Sequence, residues 1–516
     1  MIGYKLMTAF EGMEPPVRIL EWLRQRPLAG FTLFRHLNVE SPAQVRALVD
    51  LLQETAVSAG HPLLLIAADQ EGGQLMAMGD ALTQFPGNMA LGATRDPALA
   101  RQVGQAMGQE LAAMGVNINY APICDLNTHP LNPSLGIRAF SDDAELTAVM
   151  AVAMVEGIQS AGVAATVKHF PGKGEAAVDS HYSMPLIDRT KDELLERELR
   201  PFQATFDAGV KMVMSGHFAL PSITGSDVPA TLSRAAMHDL LREEMGFDGI
   251  SITDALDMGA ITQGEGQIHD IVASICAGVD LMLMTANPET QERIYTGLKT
   301  AVSNNRITAE HLDDSIARIN ALKAWVSATP QPDLDVIGCD AHQALSRRVA
   351  RQSVTLVRNE ADLLPLKLEP SARIAAIMPQ PKDLTPADTS SYVKPALAQA
   401  LRQHHAHVDE FIVSHEPTGE EIEKLRTAVS DHDLLIVGTI SAALNPQQAK
   451  MANVLLQMGI PTVNIALRIP YDLSVYPDAQ TYVCTYSIQP HALEALADGL
   501  WGKRPFVGKL PVQVTK

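Results

Sequence analysis

The chain is short of the residues that build disulfide, metal or nucleotide sites. It has four cysteines in 516 residues, Cys124, Cys276, Cys339 and Cys484. They are scattered, with no CxxC pair and no zinc spacing, which excludes a disulfide framework and a structural zinc site. Reduced, mostly buried thiols in a cytoplasmic protein is the economical reading. GxGxxG and the Walker lysine motif are both missing, so a phosphate-cradling role for the C-terminal half has no support; no cofactor or metal is expected. No apolar run approaches the ~20 residues of a membrane span. Met1-Ile2-Gly3-Tyr4-Lys5 lacks the basic region and long apolar stretch of a secretory signal. Positive charge is also scarce: 40 Lys and Arg against 59 Asp and Glu give 40 − 59 = −19. Such a surface argues against nucleic acid or an anionic membrane as a partner.

What is present is a large globular chain. Hydrophobic residues make up 46% and charged residues 19%, far from the balance of a disordered protein. A chain this long exceeds one ordinary core, so two domains are expected. Up to about residue 326 short apolar runs alternate with longer amphipathic stretches. Strand-like runs fall at 30–34, 63–69, 116–125, 164–169, 211–217, 249–254 and 278–284. Helical patterns lie between them at 41–59, 96–114, 142–161, 191–208, 233–244 and 268–277. This βα alternation implies a parallel sheet with helical crossovers. Seven runs suggest a (β/α)₈ barrel of the TIM type with one strand unplaced.

The ends of the runs point to a site. Asp69, Asp125, Lys168-His169, His217 and Asp254 each terminate an apolar run. In a parallel barrel all strand C-termini open on one face, so these groups converge on one mouth. The densest cluster is Lys168-His169-Phe170-Pro171-Gly172-Lys173-Gly174, followed by Asp179-Ser180-His181. It brings a cation, two imidazoles, a carboxylate and two glycines into one loop after a buried strand, the setting in which catalytic groups concentrate.

Residues 327–339, which include Ser327-Ala328-Thr329-Pro330-Gln331-Pro332-Asp333, read as a proline-punctuated linker. Beyond it, 340–516 resumes with a helix at 340–352 and strand patterns at 353–357, 373–378, 408–413, 434–438, 462–466 and 481–485. This half is expected to be a doubly wound α/β/α sandwich. Gln403-His404-His405-Ala406-His407 is the one histidine cluster. It reads as a solvated helix end, with metal binding the lesser alternative.

Taken in order, the motifs resemble glycoside hydrolase family 3, in its β-N-acetylglucosaminidase branch. They are Asp69-Gln70-Glu71-Gly72-Gly73, Phe85-Pro86, 121–127 (APICDLN), 132–140 (NPSLGIRAF), the lysine–histidine loop, Met214-Ser215-Gly216-His217 and 246–254 (GFDGISITD). The stretch from Trp501-Gly502-Lys503 through 508–512 (GKLPV) resembles the closing strand of the family's second domain. The resemblance implies a retaining hydrolase acting on a small carbohydrate substrate. Asp254 matches the nucleophile, and the Asp-x-His signature makes His181 the acid/base with Asp179 as its partner. Asp69, Arg138, Lys168 and His169 are implied to bind sugar hydroxyls. Asp125 and His217 are placed behind them, though either could touch the sugar. Oligomeric state is not legible.

Two positions depart from the family pattern. Gln74 stands where arginine is usual, so nearby carboxylates are expected to lose a partner. Lys173 stands where histidine is usual. It is expected to face solvent, with contact to a lactyl or phosphate group as the alternative. Glu175 is a minor candidate for a carboxyl acid. The rival activities are phosphorolysis, β-glucosidase or β-xylosidase action, and sugar sensing without turnover.

Overall fold

The computed structural model describes residues 2–514. Eight parallel strands form the first sheet: β1 (Leu6–Thr8), β2 (Gly30–Thr32), β3 (Leu65–Ala68), β4 (Ile118–Asn119), β5 (Ala164–Phe170), β6 (Met212–Ser215), β7 (Ile250–Thr253) and β8 (Met282–Leu283). They pair in chain order. β8 returns to β1 through Leu6–Met282 and Met7–Leu283, and a parallel bridge between Ile252 and Leu281 completes the ring. The unplaced strand is β1, three residues long and preceded by a buried lysine, Lys5. Several strands are shorter than their apolar runs, because residues 120–125 and 279–281 are buried but pair only through isolated bridges at Ile123 and Leu281.

Side chains alternate as a barrel requires. Leu65 and Ala67 join Met7, Ile118, Tyr120, Met212, Ile250 and Leu283 in one cluster, while Ile66 and Ala68 join the layer packed under the helices. The helices begin where the sequence supplies caps. Asp96 accepts from Leu99 N–H before Pro97–Ala113, and Asp143 accepts from Leu146 N–H before Ala144–Ser160. These two helices cross closely. A Cβ added at Gly157 would lie 2.1 Å from the Arg101 carbonyl oxygen, so only glycine fits there. The pattern at 191–208 is broken into Lys191–Glu196 and Arg200–Asp207, with Pro201 in the first turn of the second piece. Ala235–Glu244 winds as a π-helix.

The second sheet has six strands: β9 (Thr355–Asn359), β10 (Ile374–Pro379), β11 (Val408–Val413), β12 (Leu434–Thr439), β13 (Thr462–Ala466) and β14 (Thr481–Cys484). Their order is β9-β14-β13-β12-β10-β11, parallel except for β9, which runs antiparallel to β14. Helices such as Gly419–Ala428, Pro446–Leu456 and Pro490–Leu500 cover it. The connecting segment lies on the barrel. Leu334 and Ile337 pack against its core, and Glu110 on helix Pro97–Ala113 accepts from Gly338 N–H and pairs with His342 Nδ1 at 2.8 Å.

Two expectations about the C-terminal half are corrected. Residues 508–512 form no strand; they run as coil across the barrel, with Lys509 N–H donating to the Ala93 carbonyl and Ser141 Oγ to the Pro511 carbonyl. The histidine cluster is a solvated helix end only in part, with Gln403 and His407 exposed. His405 is buried and bonds the Ala372 carbonyl at 2.6 Å, and His404 stacks on Trp501. The apolar body of the Trp501 indole draws both rings inward. All four cysteines are free, Cys124 and Cys484 buried, Cys276 and Cys339 partly exposed. Among the described residues no helix is long and apolar enough to cross a membrane.

Candidate active site

The C-terminal ends of the barrel strands surround a cavity of about 700 Å³. Its wall is built first at the end of β3. Asp69 follows the strand directly, and the chain then folds back as a two-strand hairpin, Gln70–Gly72 with Leu75–Met76. Asn119 on β4 locks this hairpin by bonding both the N–H and the C=O of Gln70. Gly73 holds the turn at φ 62°, where an added Cβ would lie 2.7 Å from the Pro86 oxygen. The Gly-Gly turn and Phe85-Pro86 are thus two halves of one contact between loops.

Glu71 is the hub of this wall. Its carboxylate accepts two bonds from Arg138, at 2.9 and 2.8 Å, and lies 2.6 Å from Lys168 Nζ. Lys168 also donates to Asp69 at 2.6 Å. Burial alone would raise the Glu71 carboxyl, but the two cations outweigh it and hold it down at about 2. Asp69 moves the other way. Burial pushes it up against the pull of Lys168, and the neighbouring Glu71 and Asp254 carboxylates add to the push. Two carboxylates here, Asp69 and Glu71, share two cations, Lys168 and Arg138. Sequence reasoning gave Glu71 no role of its own, although it sits inside the Asp-Gln-Glu-Gly-Gly motif. Its nearer partner, Arg138, is 67 residues along the chain, and Lys168 is further still.

β5 delivers Lys168 and His169. The Asp125 carboxylate orients the imidazole, taking His169 Nδ1 at 2.7 Å and His169 N–H at 3.1 Å, and its other oxygen takes Lys173 N–H at 2.8 Å. His169 Nε2 is left 3.9 Å from Asp254 Oδ2. Burial pushes the His169 imidazole well below its usual range and the adjacent cations add to this, so the contact with Asp254 is polar rather than an ion pair.

Asp254 follows β7. Ala255 N–H donates to its Oδ1 at 2.8 Å. Burial would raise this carboxyl; its neighbours His217, Lys173 and His181 and the Ala255 amide together bring it below the usual carboxylate range. It is therefore held ionised. His181 lines the same cavity. Its Nδ1 lies 2.7 Å from Asp179 Oδ1, which also accepts His181 N–H at 3.0 Å. The dyad docks on the loop after β7, where Gly259 N–H donates to the His181 carbonyl at 2.9 Å. The outer nitrogen, Nε2, is thereby left for a ligand.

The cavity wall thus contains Asp69, Arg138, Lys168, His169, His181 and Asp254. Asp125, Asp179 and His217 stand behind it. His217 is buried with both ring nitrogens engaged, Nδ1 with Thr231 Oγ1 at 2.9 Å and Nε2 with the Ala255 carbonyl at 3.1 Å. Glu175 pairs with Arg189 at 2.7 Å and does not reach the cavity. The solvent-facing position expected for Lys173 is wrong: its side chain is buried, and it does not line the cavity either. Its loop is pulled inward by the Asp125 carboxylate and by Asn132, which bonds the Lys173 carbonyl.

The second sheet completes the cavity. The segment after β10 places Asp383, Thr385, Asp388, Thr389 and Tyr392 in its lining. Thr389 bonds the Gln74 carbonyl through both its N–H and its Oγ1. Gln74 receives Arg468 from the end of β13, and Arg468 pairs with Asp388 at 2.9 Å. The expectation that nearby carboxylates lose a cation is therefore corrected: Asp388 has its forked donor from a distant strand. Opposite, Arg35 sits 3.8 Å over the Tyr392 ring. No motif marked this segment, since it meets the barrel only through long-range contacts. Among the described residues, the one grouping with metal-ligand spacing is His238, Asp239 and Glu243, which lies outside the cavity lining.

Comparison with known proteins agrees with this architecture. Residues 7–322 match the glycosyl hydrolase family 3 N terminal domain. Beta-hexosaminidase A of Pseudoalteromonas piscicida is 30% identical over an alignment covering 100% of this chain and 96% of the relative. A beta-N-acetylglucosaminidase/beta-glucosidase of Cellulomonas fimi is 31% identical, covering 92% and 87%. The solved structure of a glycoside hydrolase family 3 beta-N-acetylglucosaminidase from Paenibacillus sp. str. FPU-7 superposes with a TM-score of 0.94 at 33% identity, covering 100% of this chain and 98% of that one. With this family match over most of the barrel and relatives aligned along the full chain, the chain belongs to glycoside hydrolase family 3 and is a glycoside hydrolase.

Proposed function

We propose that the chain is a retaining exo-β-N-acetylglucosaminidase that releases terminal N-acetylglucosamine from β-linked oligosaccharides. One observation carries this reading: Asp254 and His181 line the same cavity from different elements, with His181 already held by Asp179. The names of the relatives support the sugar. In the first step Asp254 Oδ attacks the anomeric carbon, and His181 gives its Nε2 proton to the departing glycosidic oxygen. The ester formed is then opened by water, whose proton returns to His181, and the sugar leaves with its β configuration kept. Asp179 stabilises the imidazolium in each half-reaction. Asp69 accepts sugar hydroxyls, and His169 Nε2 faces the sugar beside Asp254. Lys168 uses two of its three donors on Asp69 and Glu71, leaving one for substrate. Arg138 shapes this wall through Glu71.

The charge balance of the cavity favours water over phosphate as acceptor. Each lysine or arginine in the lining is paired: Arg35 with Asp80, Arg138 with Glu71, Lys168 with Asp69 and Glu71. Among the described residues Asp254, Asp257 and Asp383 have no lysine or arginine within salt-bridge distance, so the lining carries excess negative charge. That field disfavours phosphate as acceptor. A cytoplasmic setting fits the free thiols; peptidoglycan recycling is the further setting to test within it. We also take 1–326 as the catalytic barrel, 327–339 as the connector and 340–516 as a sandwich that closes the cleft.

A second reading, β-glucosidase action, has one observation in its favour. The segment after β10 brings Asp383 into the cavity, and resemblance to the glucosidase branches of the family would imply an acid/base carboxylate from the second domain. Nitrophenyl N-acetylglucosaminide, glucoside and xyloside, each with and without phosphate, separate the readings. We expect N-acetylglucosamine release that phosphate leaves unchanged. Sugar 1-phosphate as product, or faster turnover of glucoside that survives His181→Ala but not Asp383→Asn, would overturn the proposal.

A further inference from the structure

Lys173 presents a physical problem that the proposed chemistry does not absorb. Its side chain is only 2% exposed, and Nζ finds no hydrogen-bond partner among the described residues. An ammonium buried without a partner is costly, and such groups persist where a site uses their charge. The surroundings show what that use is. The Lys173 backbone N–H holds Asp125 Oδ1, whose partner oxygen orients His169, and His169 Nε2 points towards Asp254. Further along the same loop, Asp179 Oδ2 is also buried and unpartnered, while Oδ1 holds His181. Lys173 is therefore joined through its backbone to the carboxylate that orients His169 and shares a loop with the one that orients His181, and the charges of Asp125, Asp179 and Asp254 act on its amine.

We propose that Lys173 is a positioning residue: a fixed cation behind the cavity wall that serves Asp125, Asp179 and Asp254 together as a shared counter-charge. The inference rests on the proposed roles of Asp254 and His181 and deepens them. Its electrostatics run in the required direction. Lys173 draws down the Asp125, Asp179 and Asp254 carboxyls, each of which burial would raise. The groups facing Asp254 are His169 from β5, His217 after β6, His181 from the loop and Asp69 after β3; none of them is a lysine or arginine. Arg138 also faces Lys173 and pushes its amine further down, the way burial already drives it. Where the family pattern has histidine, this chain has a longer and ordinarily more basic group.

The test compares Lys173→Met, Lys173→Gln and Lys173→Arg on nitrophenyl N-acetylglucosaminide. Without the cation the Asp254 carboxyl moves up, so activity is lost earlier on acidification. We expect Lys173→Met to shift the acid limb of kcat/KM upward by about one pH unit, and to lower kcat about 10- to 100-fold with KM changed less than about threefold. Lys173→Arg should restore the acid limb, and Lys173→Gln should behave as Met does if Met fails to fold. A thermal midpoint equal to or above wild type in the Met variant would show that the loss is not one of folding. Wild-type kcat and an unmoved acid limb in both neutral variants would overturn the proposal. Turnover surviving in Asp254→Ala would instead strike at the nucleophile assignment, independently of Lys173.

Discussion

Two polar clusters meet at the barrel mouth, and they are built on opposite principles. The first, Asp69-Glu71-Arg138-Lys168, is paired throughout and buried except at Asp69, its atoms fixed by 2.6–2.9 Å contacts between β5 and the loops after β3 and β4. The second, the loop carrying Lys173, Asp179 and His181, is buried in part and leaves polar atoms unpartnered, Lys173 Nζ and Asp179 Oδ2 among them. Paired groups in low dielectric hold a shape; unpaired ones hold free energy that a ligand or a small displacement can release. A sugar needs a rigid wall to read its hydroxyls and a proton carrier that can serve two steps. On the proposed mechanism these demands fall to the two clusters separately, with Asp254 standing where they meet.

The largest effect should come from that meeting point. Asp254→Ala removes the attacking carboxylate, and steady-state turnover should fall on the order of 10⁴-fold or more while the fold is kept, as for other nucleophile deletions. Residual turnover within tenfold of wild type would break the comparison at once. In the rigid cluster, Glu71→Ala leaves two buried cations without their hub. It should cost about 3–5 kcal/mol of stability in urea unfolding, as breaking half of a buried ion pair usually does. In the looser cluster, His181→Ala should affect chemistry rather than fold. Glycosides with poor leaving groups should lose about 10²–10⁴-fold in kcat/KM and activated nitrophenyl glycosides far less. Equal losses for both would remove His181 from proton transfer.

Acid should separate the clusters in another way. Glu71 is held at about 2 against an ordinary 4.5. A depressed carboxyl stabilises the fold fully above the unfolded value and loses that contribution as pH falls through the folded one. Between about pH 4.5 and 2 the loss attributable to Glu71 should reach about 3 kcal/mol, and Glu71→Gln should flatten the urea midpoint over that window. The smallest effect belongs to the second sheet. Tyr392 is exposed and stacks under Arg35, so Tyr392→Ala should raise KM for a disaccharide about three- to tenfold and leave kcat alone.

The two clusters were also unequally legible. Runs that end in Asp69, Lys168-His169 and Asp254 declare the barrel mouth, because a buried parallel strand that terminates in a charge must deliver that charge to the rim. The Asp-x-His pair is local, and the structure joins the two side chains. The network behind them was not readable. Glu71 acts through residues far along the chain, and Arg468 reaches Gln74 from 394 positions away. The burial of Lys173 runs against the ordinary habit of lysine and depends on Asp125 and Asn132 drawing its backbone inward. β1 escaped notice because three residues are too few to show a period. Pairing partners, unlike strand ends, are set by tertiary contact, and a single sequence does not display them.

Catalysis as proposed turns on Asp254 forming a bond to sugar while the imidazole of His181 manages the proton. The most direct measurement is trapping with 5-fluoro-N-acetylglucosaminyl fluoride, followed by intact-mass analysis and peptide mapping. One added glycosyl unit is expected, on the peptide containing Asp254, and none in Asp254→Ala. A label on another residue, or full turnover of substrate with inversion at the anomeric carbon and no labelled enzyme, would contradict the covalent mechanism.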